Sequence, residues 1–209
     1  MADRLTTVLK LVCCGLAAHA AWYLVIGIDK PLGDLFAFRQ TQTALTAWWL
    51  WQGGPWLAYE TPVLGAPWSV PFELPVVQAI TAILRGLAVP IDAGGRLVSF
   101  AFFLGSLFPL RLLLMATGHS RLTFWTVSAL YLASPIYVYW ASTVMIESCA
   151  LFLGLLWLAM VARFVEHRDP WSLIAGVVAG CLMMTIKASV FPALGLLGGL
   201  ITLGSAYRA

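Results

Sequence analysis

Charge is what this sequence lacks. Asp, Glu, Lys and Arg make up 10% of its 209 residues, against about 25% in soluble domains, and no stretch gathers them into an acidic or basic run. So few charges cannot cover a water-exposed globule. A net charge of +3 spread along the chain also provides no basic stripe, which excludes a nucleic-acid surface. Cysteine is equally sparse: Cys13, Cys14, Cys149 and Cys181 all lie in apolar stretches without C-x-x-C spacing, which argues against a metal or redox site and leaves them as packing or lipid-facing residues. No internal repeat or low-complexity tract is evident.

What the sequence has is hydrocarbon: 61% hydrophobic residues and a mean hydropathy of +0.90. Apolar runs at 11–28, 97–117, 122–142, 148–165, 171–186 and 188–207 approach the roughly 20 residues needed to cross about 30 Å of hydrocarbon. They predict an all-α, polytopic transmembrane helix bundle with about six crossings, a single membrane module over 1–209. The N-terminus has signal-peptide features, with Arg4 and Lys10 before an apolar run and the small-x-small triplet Ala18-His19-Ala20, but the run continues through Ile28 and reads as an uncleaved first helix. The stretch 75–89 is only 15 residues long, opens with Pro75 and carries Arg85, so it reads as a re-entrant or interfacial helix. If it does not cross, a cytoplasmic N-terminus places seven basic residues inside (Arg4, Lys10, Arg111, Arg121, Arg163, Arg168, Arg208) and five outside (Lys30, Arg39, Arg85, Arg96, Lys187). The opposite choice reverses the count, so the positive-inside rule selects the first.

That topology makes 29–95 one long extracytoplasmic loop, and long ordered loops in compact proteins are usually functional. Trp48, Trp49, Trp51, Trp56 and Trp68 are the aromatics expected at headgroup depth. Over 41–52, Ala44, Ala47, Trp48 and Trp51 recur at helical spacing before Gly53-Gly54-Pro55, predicting an amphipathic helix on the outer leaflet. The stretch 61–71, with Pro62, Pro67 and Pro71, reads as extended loop. Gly195, Gly198 and Gly199 suggest close helix packing, and Pro192 a local bend in the last helix.

Ionisable groups that do not serve as cytoplasmic anchors collect on the outer side: Asp34, Arg39, Glu60 and Glu73 in the loop, Glu147 at the start of the fourth crossing and Lys187 at the end of the fifth. Placing such groups near hydrocarbon is costly, which makes them candidates for a site. Each also has a plain structural role available. Lys187 can snorkel to headgroups, Arg39 can pair with Asp34, Glu60 can be a solvated loop residue, and Glu147 can complement the helix dipole. His19 reads as a packing residue, and Arg111, Arg163 and Arg168 as inner-leaflet anchors.

The run Asp34-Leu-Phe-Ala-Phe-Arg39-Gln40-Thr41-Gln42-Thr43-Ala44, just after a first membrane helix, resembles the first-loop signature of the GT-C membrane glycosyltransferases, in particular bacterial relatives of protein O-mannosyltransferases and the lipid A aminoarabinose transferase. Tyr59-Glu60-Thr61-Pro62-Val63-Leu64-Gly65, Pro67 through Pro75, Gly95-Arg96-Leu97, Ser134-Pro135 followed by Glu147, and Thr185-Ile186-Lys187 extend the likeness over nearly the whole chain. The resemblance implies a polyprenyl-phosphate sugar donor embedded in membrane lipid, reached from the outer face of a bacterial inner membrane, and inverting transfer to an acceptor whose identity stays open. It implies Asp34 as general base, with Arg39, Gln40, Glu60, Glu73, Glu147 and Lys187 as substrate-binding candidates. Arg39 is the preferred phosphate partner, because a guanidinium binds phosphate bidentately. Leu35 stands where many relatives carry a second acid, and Leu74 where the aminoarabinose transferase has a lysine, so that lysine's role has no counterpart here. No cofactor is required and no metal ligand is assigned, though a divalent metal is compatible. Family members continue through further helices, so the chain is expected to be the N-terminal part of a longer enzyme. A transporter or flippase of lipid-linked sugars, and a non-catalytic relative, remain the alternatives. The first would call for internal symmetry and midplane polar groups.

Overall fold

The computed structural model describes residues 2–33, 35–57 and 73–206, and its described residues form helices and connections with no strand. Three stretches are long and apolar enough to cross a membrane: α1 (Ala2–Gly27); the continuous span made by α4 (Ile91–Gly105) and α5 (Leu107–Ala116); and α8 (Glu147–His167). A fourth is added if α9 (Pro170–Ile186) and α10 (Phe191–Ala206), which turn by 115° about a break at Lys187, are taken as one broken span. Long apolar helices of this kind are compatible with an integral membrane protein.

Two expected boundaries move. The span expected over 97–117 begins at Ile91, which brings Arg96 into a helix; there it is buried and donates to the Ile28 carbonyl at 3.0 Å, satisfying backbone at the end of α1. The apolar run 122–142 is divided into α6 (Arg121–Ala133) and α7 (Pro135–Ala141). Pro135 has no N–H to continue the ladder and drives Ser134 out of the helical region, to ψ 117°, after which it opens the next helix at its first position.

Inside the long loop the structure has α2 (Ala37–Trp51) and α3 (Val76–Gly86). At 11 residues, α3 is about 16 Å long, too short to cross, as expected of the stretch 75–89. The helix expected over 41–52 is α2, which starts earlier and ends against Gly53, whose φ of +95° a residue with a Cβ rarely adopts. Its faces differ from the expectation. Ala44 and Ala47 are buried beside Gln40, Gln42, Thr43 and Thr46, against α3 and α4, while Phe38, Trp48 and Trp51 point outward. The small and polar residues can be packed and hydrogen-bonded inside: Thr43 and Thr46 each donate at 3.0 Å to the carbonyl four residues earlier. The aromatics are the residues that tolerate an interface. Arg85 of α3 lies over the Trp51 ring, 4.7 Å from its centre.

Pro192 sits in the first turn of α10 rather than bending its middle; the break lies at 187–190, before it. Of the three glycines in α10, Gly198 makes the close helix contact, under the Trp157 ring of α8, whereas Gly195 meets only Phe191 of its own helix and Gly199 faces open space. The cysteines are all free thiols, Cys13 and Cys149 buried and Cys14 and Cys181 exposed.

At the opposite end of the bundle, α8 closes on Arg168 in the left-handed region, and Asp169 caps α9. Its carboxylate accepts from the Ser172 hydroxyl at 2.8 Å and from the Trp171 and Ser172 amides at 3.1 and 3.2 Å. The Ser172 hydroxyl bond first, then the two amides and nearby Arg163, favour the ionised form and hold Asp169 below its ordinary 3.8, against a smaller opposing effect of desolvation. A depressed carboxylate contributes stability above its unfolded pKa and loses it as pH falls through the folded value. The cap is therefore intact at neutral pH and lost only in acid below 3.8. Carboxyl-carbon NMR titration should give Asp169 a midpoint below that of an unstructured aspartate, and Ser172→Ala should move it back up.

Candidate functional site

The site forms where the C-terminal ends of α1 and α9 meet the N-terminal ends of α4 and α8. Between α7 and α8, residues Thr143, Val144, Met145 and Ile146 are all buried. Side chains pin this segment: the Val144 amide donates to Gln40 Oε1 of α2 at 3.1 Å, and Ser99 of α4 donates to the Met145 carbonyl at 2.9 Å. A third tie joins the loop to α9, where the Leu74 amide donates to the Thr185 carbonyl at 2.9 Å. Glu73 is thus next to, and Lys187 two positions from, the Leu74–Thr185 tie, while Arg39 is next to, and Glu147 three positions from, the Gln40–Val144 tie.

Two ion pairs occupy this end. The guanidinium of Arg39 donates to Glu73 Oε2 at 3.0 Å and to Gln42 Oε1 at 2.8 Å, and the other oxygen of Glu73 accepts from Gln78 Nε2 at 3.0 Å. Glu73 is therefore a buried carboxylate with donors on both oxygens, the arrangement that makes a buried charge tolerable. The second pair joins Lys187 Nζ, at the break between α9 and α10, to Glu147 Oε1 in the first turn of α8, at 2.5 Å. Glu147 also sits where the positive end of the α8 dipole favours an anion.

Next to the second pair lies a cavity of about 180 Å³, walled by Phe103, Tyr131, Tyr137, Trp140 and Leu151, with Glu147, Ser148 and Lys187 as its polar side. The Tyr131 hydroxyl is tied to the Phe103 carbonyl at 3.1 Å, which fixes the aromatic wall. Glu147 Oε2 is buried and has no hydrogen-bond partner among the described residues. An ammonium, a carboxylate with a spare acceptor and an aromatic lining suit a polar ligand that also offers an apolar face. Phe36, two residues along the chain from Asp34, packs against Trp140 with the rings tilted by 45° and their centres 4.8 Å apart.

Of the residues singled out from the sequence, Arg39, Gln40, Glu73, Glu147 and Lys187 lie together at this end. Asp34 and Glu60 lie outside the described residues. Arg39 is engaged with Glu73 and Gln42 and is not part of the cavity wall, whereas Lys187 is. The sequence reading missed Gln42, Gln78, Ser99 and Thr143, all buried. The available signal was the polar residues 39, 42, 43 and 46, one helical face in an otherwise apolar chain. No cluster of three His, Cys, Asp or Glu side chains forms among the described residues. Comparisons of the chain with protein-family models, curated proteins and solved structures give no match.

Proposed function

We propose that this chain is a membrane glycosyltransferase module of the GT-C type, which takes a sugar from a polyprenyl-phosphate donor at the extracytoplasmic face. The observation that carries the reading is the gathering of Arg39, Gln40, Glu73, Glu147 and Lys187, scattered over 149 positions of sequence, at one end of an apolar bundle beside an aromatic cavity. In this reading α6 and α7 cross together as one kinked span and α9 and α10 cross separately, giving six crossings with a cytoplasmic N-terminus, in the bacterial inner membrane. The turn of 115° at Lys187 supports separate crossings, because it exceeds a right angle and sends the chain back along α8.

The acceptor hydroxyl attacks the anomeric carbon as the bond from that carbon to the phosphate oxygen breaks. The proton goes to the Asp34 carboxylate, and polyprenyl phosphate leaves with its charge offset by Lys187. Glu147 Oε2 offers an acceptor for a sugar hydroxyl, and the Arg39–Glu73–Gln78 network holds α2 and α3 in register behind the site.

Transfer from a labelled polyprenyl-phosphate sugar in proteoliposomes tests this. Asp34→Asn should lower transfer by about 100-fold, the lower end of what a positioned general base contributes, while donor binding and membrane insertion persist. Full transfer by Asp34→Asn would remove Asp34 from the mechanism. Donor moved across the bilayer uncleaved would instead indicate a flippase, and neither transfer nor movement a scaffold.

A further inference from the structure

At the end of the bundle away from the candidate site, a cavity of about 280 Å³ is walled by Lys10 of α1, Arg111 of α5 and Arg121 at the start of α6, with no acidic residue in its lining. Helix packing, not sequence proximity, brings these cations together. Cys13 of α1 reaches the Trp125 carbonyl at 3.6 Å, and Lys10 lies 5.8 Å from the centre of the Trp125 ring, so α1 is held against α6. His119 and Ser120 in the short α5–α6 connection complete the polar side; the Ser120 hydroxyl caps α6 through the Thr123 amide at 3.1 Å, placing the positive end of that helix at the cavity. No salt bridge to any of the three cations forms among the described residues. Glu166 lines a separate groove, which His119 also borders.

The rest of the wall is apolar, formed by Leu114, Met115, Phe124 and Trp125. Three uncompensated cations above a hydrocarbon wall match a ligand that is anionic at one end and apolar at the other. Arginine, and lysine as a point charge, are the side chains that hold phosphate oxygens. We propose that this cavity binds the headgroup of an anionic phospholipid, its phosphate held by Lys10, Arg111 and Arg121 and its acyl chains against Met115 and Phe124. The lipid would reinforce the junction of α1 and α6, which pack closely, with α5.

The shared chemistry is a phosphate anion, so the test must separate a lipid from free phosphate. The full chain in mild detergent is offered equal amounts of phosphatidylglycerol and phosphatidylcholine with the same acyl chains, and retained lipid is counted by native mass spectrometry. The wild type should prefer phosphatidylglycerol by about tenfold or more, since each basic residue near a membrane surface contributes about a fivefold preference for anionic lipid. K10Q/R111Q/R121Q should lose the preference, R111Q and R121Q alone should each lower it, and the charge-retaining K10R/R111K/R121K should keep it. R4Q/R168Q, which removes two cations outside this cavity, should keep it too. A preference that survives the neutral triple substitution, or falls equally in R4Q/R168Q, overturns the site. Displacement of bound phosphatidylglycerol by excess inorganic phosphate, but not by chloride at the same ionic strength, overturns the lipid assignment; retention of the lipid supports it.

Discussion

Under the proposed function, Lys187→Met should reduce sugar transfer by about 100- to 1,000-fold, the loss typical of removing one preorganised group that stabilises charge developing in a transition state. Lys187 is the cation in the wall of the aromatic cavity, whereas Arg39 has committed its fork to Glu73 and Gln42. The same substitution leaves Glu147 without its only described partner. Breaking a fully buried pair costs about 3–5 kcal/mol, but here the side chains keep 28% and 17% of their surface, so screening should hold the cost to about 1–2 kcal/mol. Two effects are therefore mixed in the single variant, and a double-mutant cycle separates them. K187M/E147L removes both charges, so its thermal unfolding in detergent should return towards that of the wild type. On the proposed reading transfer should not return, because the donor phosphate would still lack its counter-charge and the sugar its Glu147 acceptor. Recovery of transfer in the double variant would mean that the pair only holds α8 to α9, and that the charge offset lies elsewhere.

The helical membrane character, the short helix after Pro75, the helix in the first loop and the shared location of Glu147 and Lys187 could all be read in the sequence, because each depends on run length or on charge in an apolar context. The same-side placement of Glu147 and Lys187 required only that α8 and α9 run antiparallel. What could not be read depends on partners distant in sequence. Arg39 could have paired with Asp34 at short range, and nothing local shows that Glu73, itself held by Gln78, would engage it from 34 positions away. Arg96 looked like a loop charge because arginine rarely enters a helix in hydrocarbon; its cost is met by a carbonyl 68 positions earlier. The division of the run 122–142 was visible as Ser134-Pro135, but hydropathy alone counts straight through a proline.

The faces of α2 show why periodicity was informative and polarity misleading. A helix in water hides its apolar stripe, so alanine and tryptophan at helical spacing suggested one membrane-facing surface. Here the hidden stripe is the one whose Gln and Thr groups find partners: Gln40 takes the Val144 amide, Gln42 takes Arg39, and the threonines bond back along their own helix. A buried polar stripe in such a chain marks where other elements dock, and α2 thereby fixes the segment from which Glu147 projects.

Gly95→Ala should destabilise the fold by about 2–4 kcal/mol, combining overpacking with the loss of a buried hydrogen bond. A methyl group on Gly95 would lie 2.5 Å from Cγ1 of Val144, 3.1 Å from Cγ2 and 3.2 Å from Cβ. A β-branched side chain with both methyls and its Cβ in the way has no rotamer to turn to, so the Val144 backbone must retreat. That backbone is held by Gln40 and, one residue on, by Ser99, and both bonds would stretch as α4 and the 142–146 segment separate. The helix-propensity gain of about 1 kcal/mol for replacing a helical glycine by alanine offsets only part of this. Gly15→Ala in α1 isolates that gain, since nothing lies within 4 Å of a Cβ there, and it should leave the protein as stable or more so. Because Glu147 follows the displaced segment directly, Gly95→Ala should lower sugar transfer as well as the unfolding temperature, and V144A in the same chain should restore both by making room. If Gly95→Ala unfolded at the same temperature as Gly15→Ala, the close approach of α4 to the segment before Glu147 would be refuted, and with it the support that holds Glu147 at the cavity.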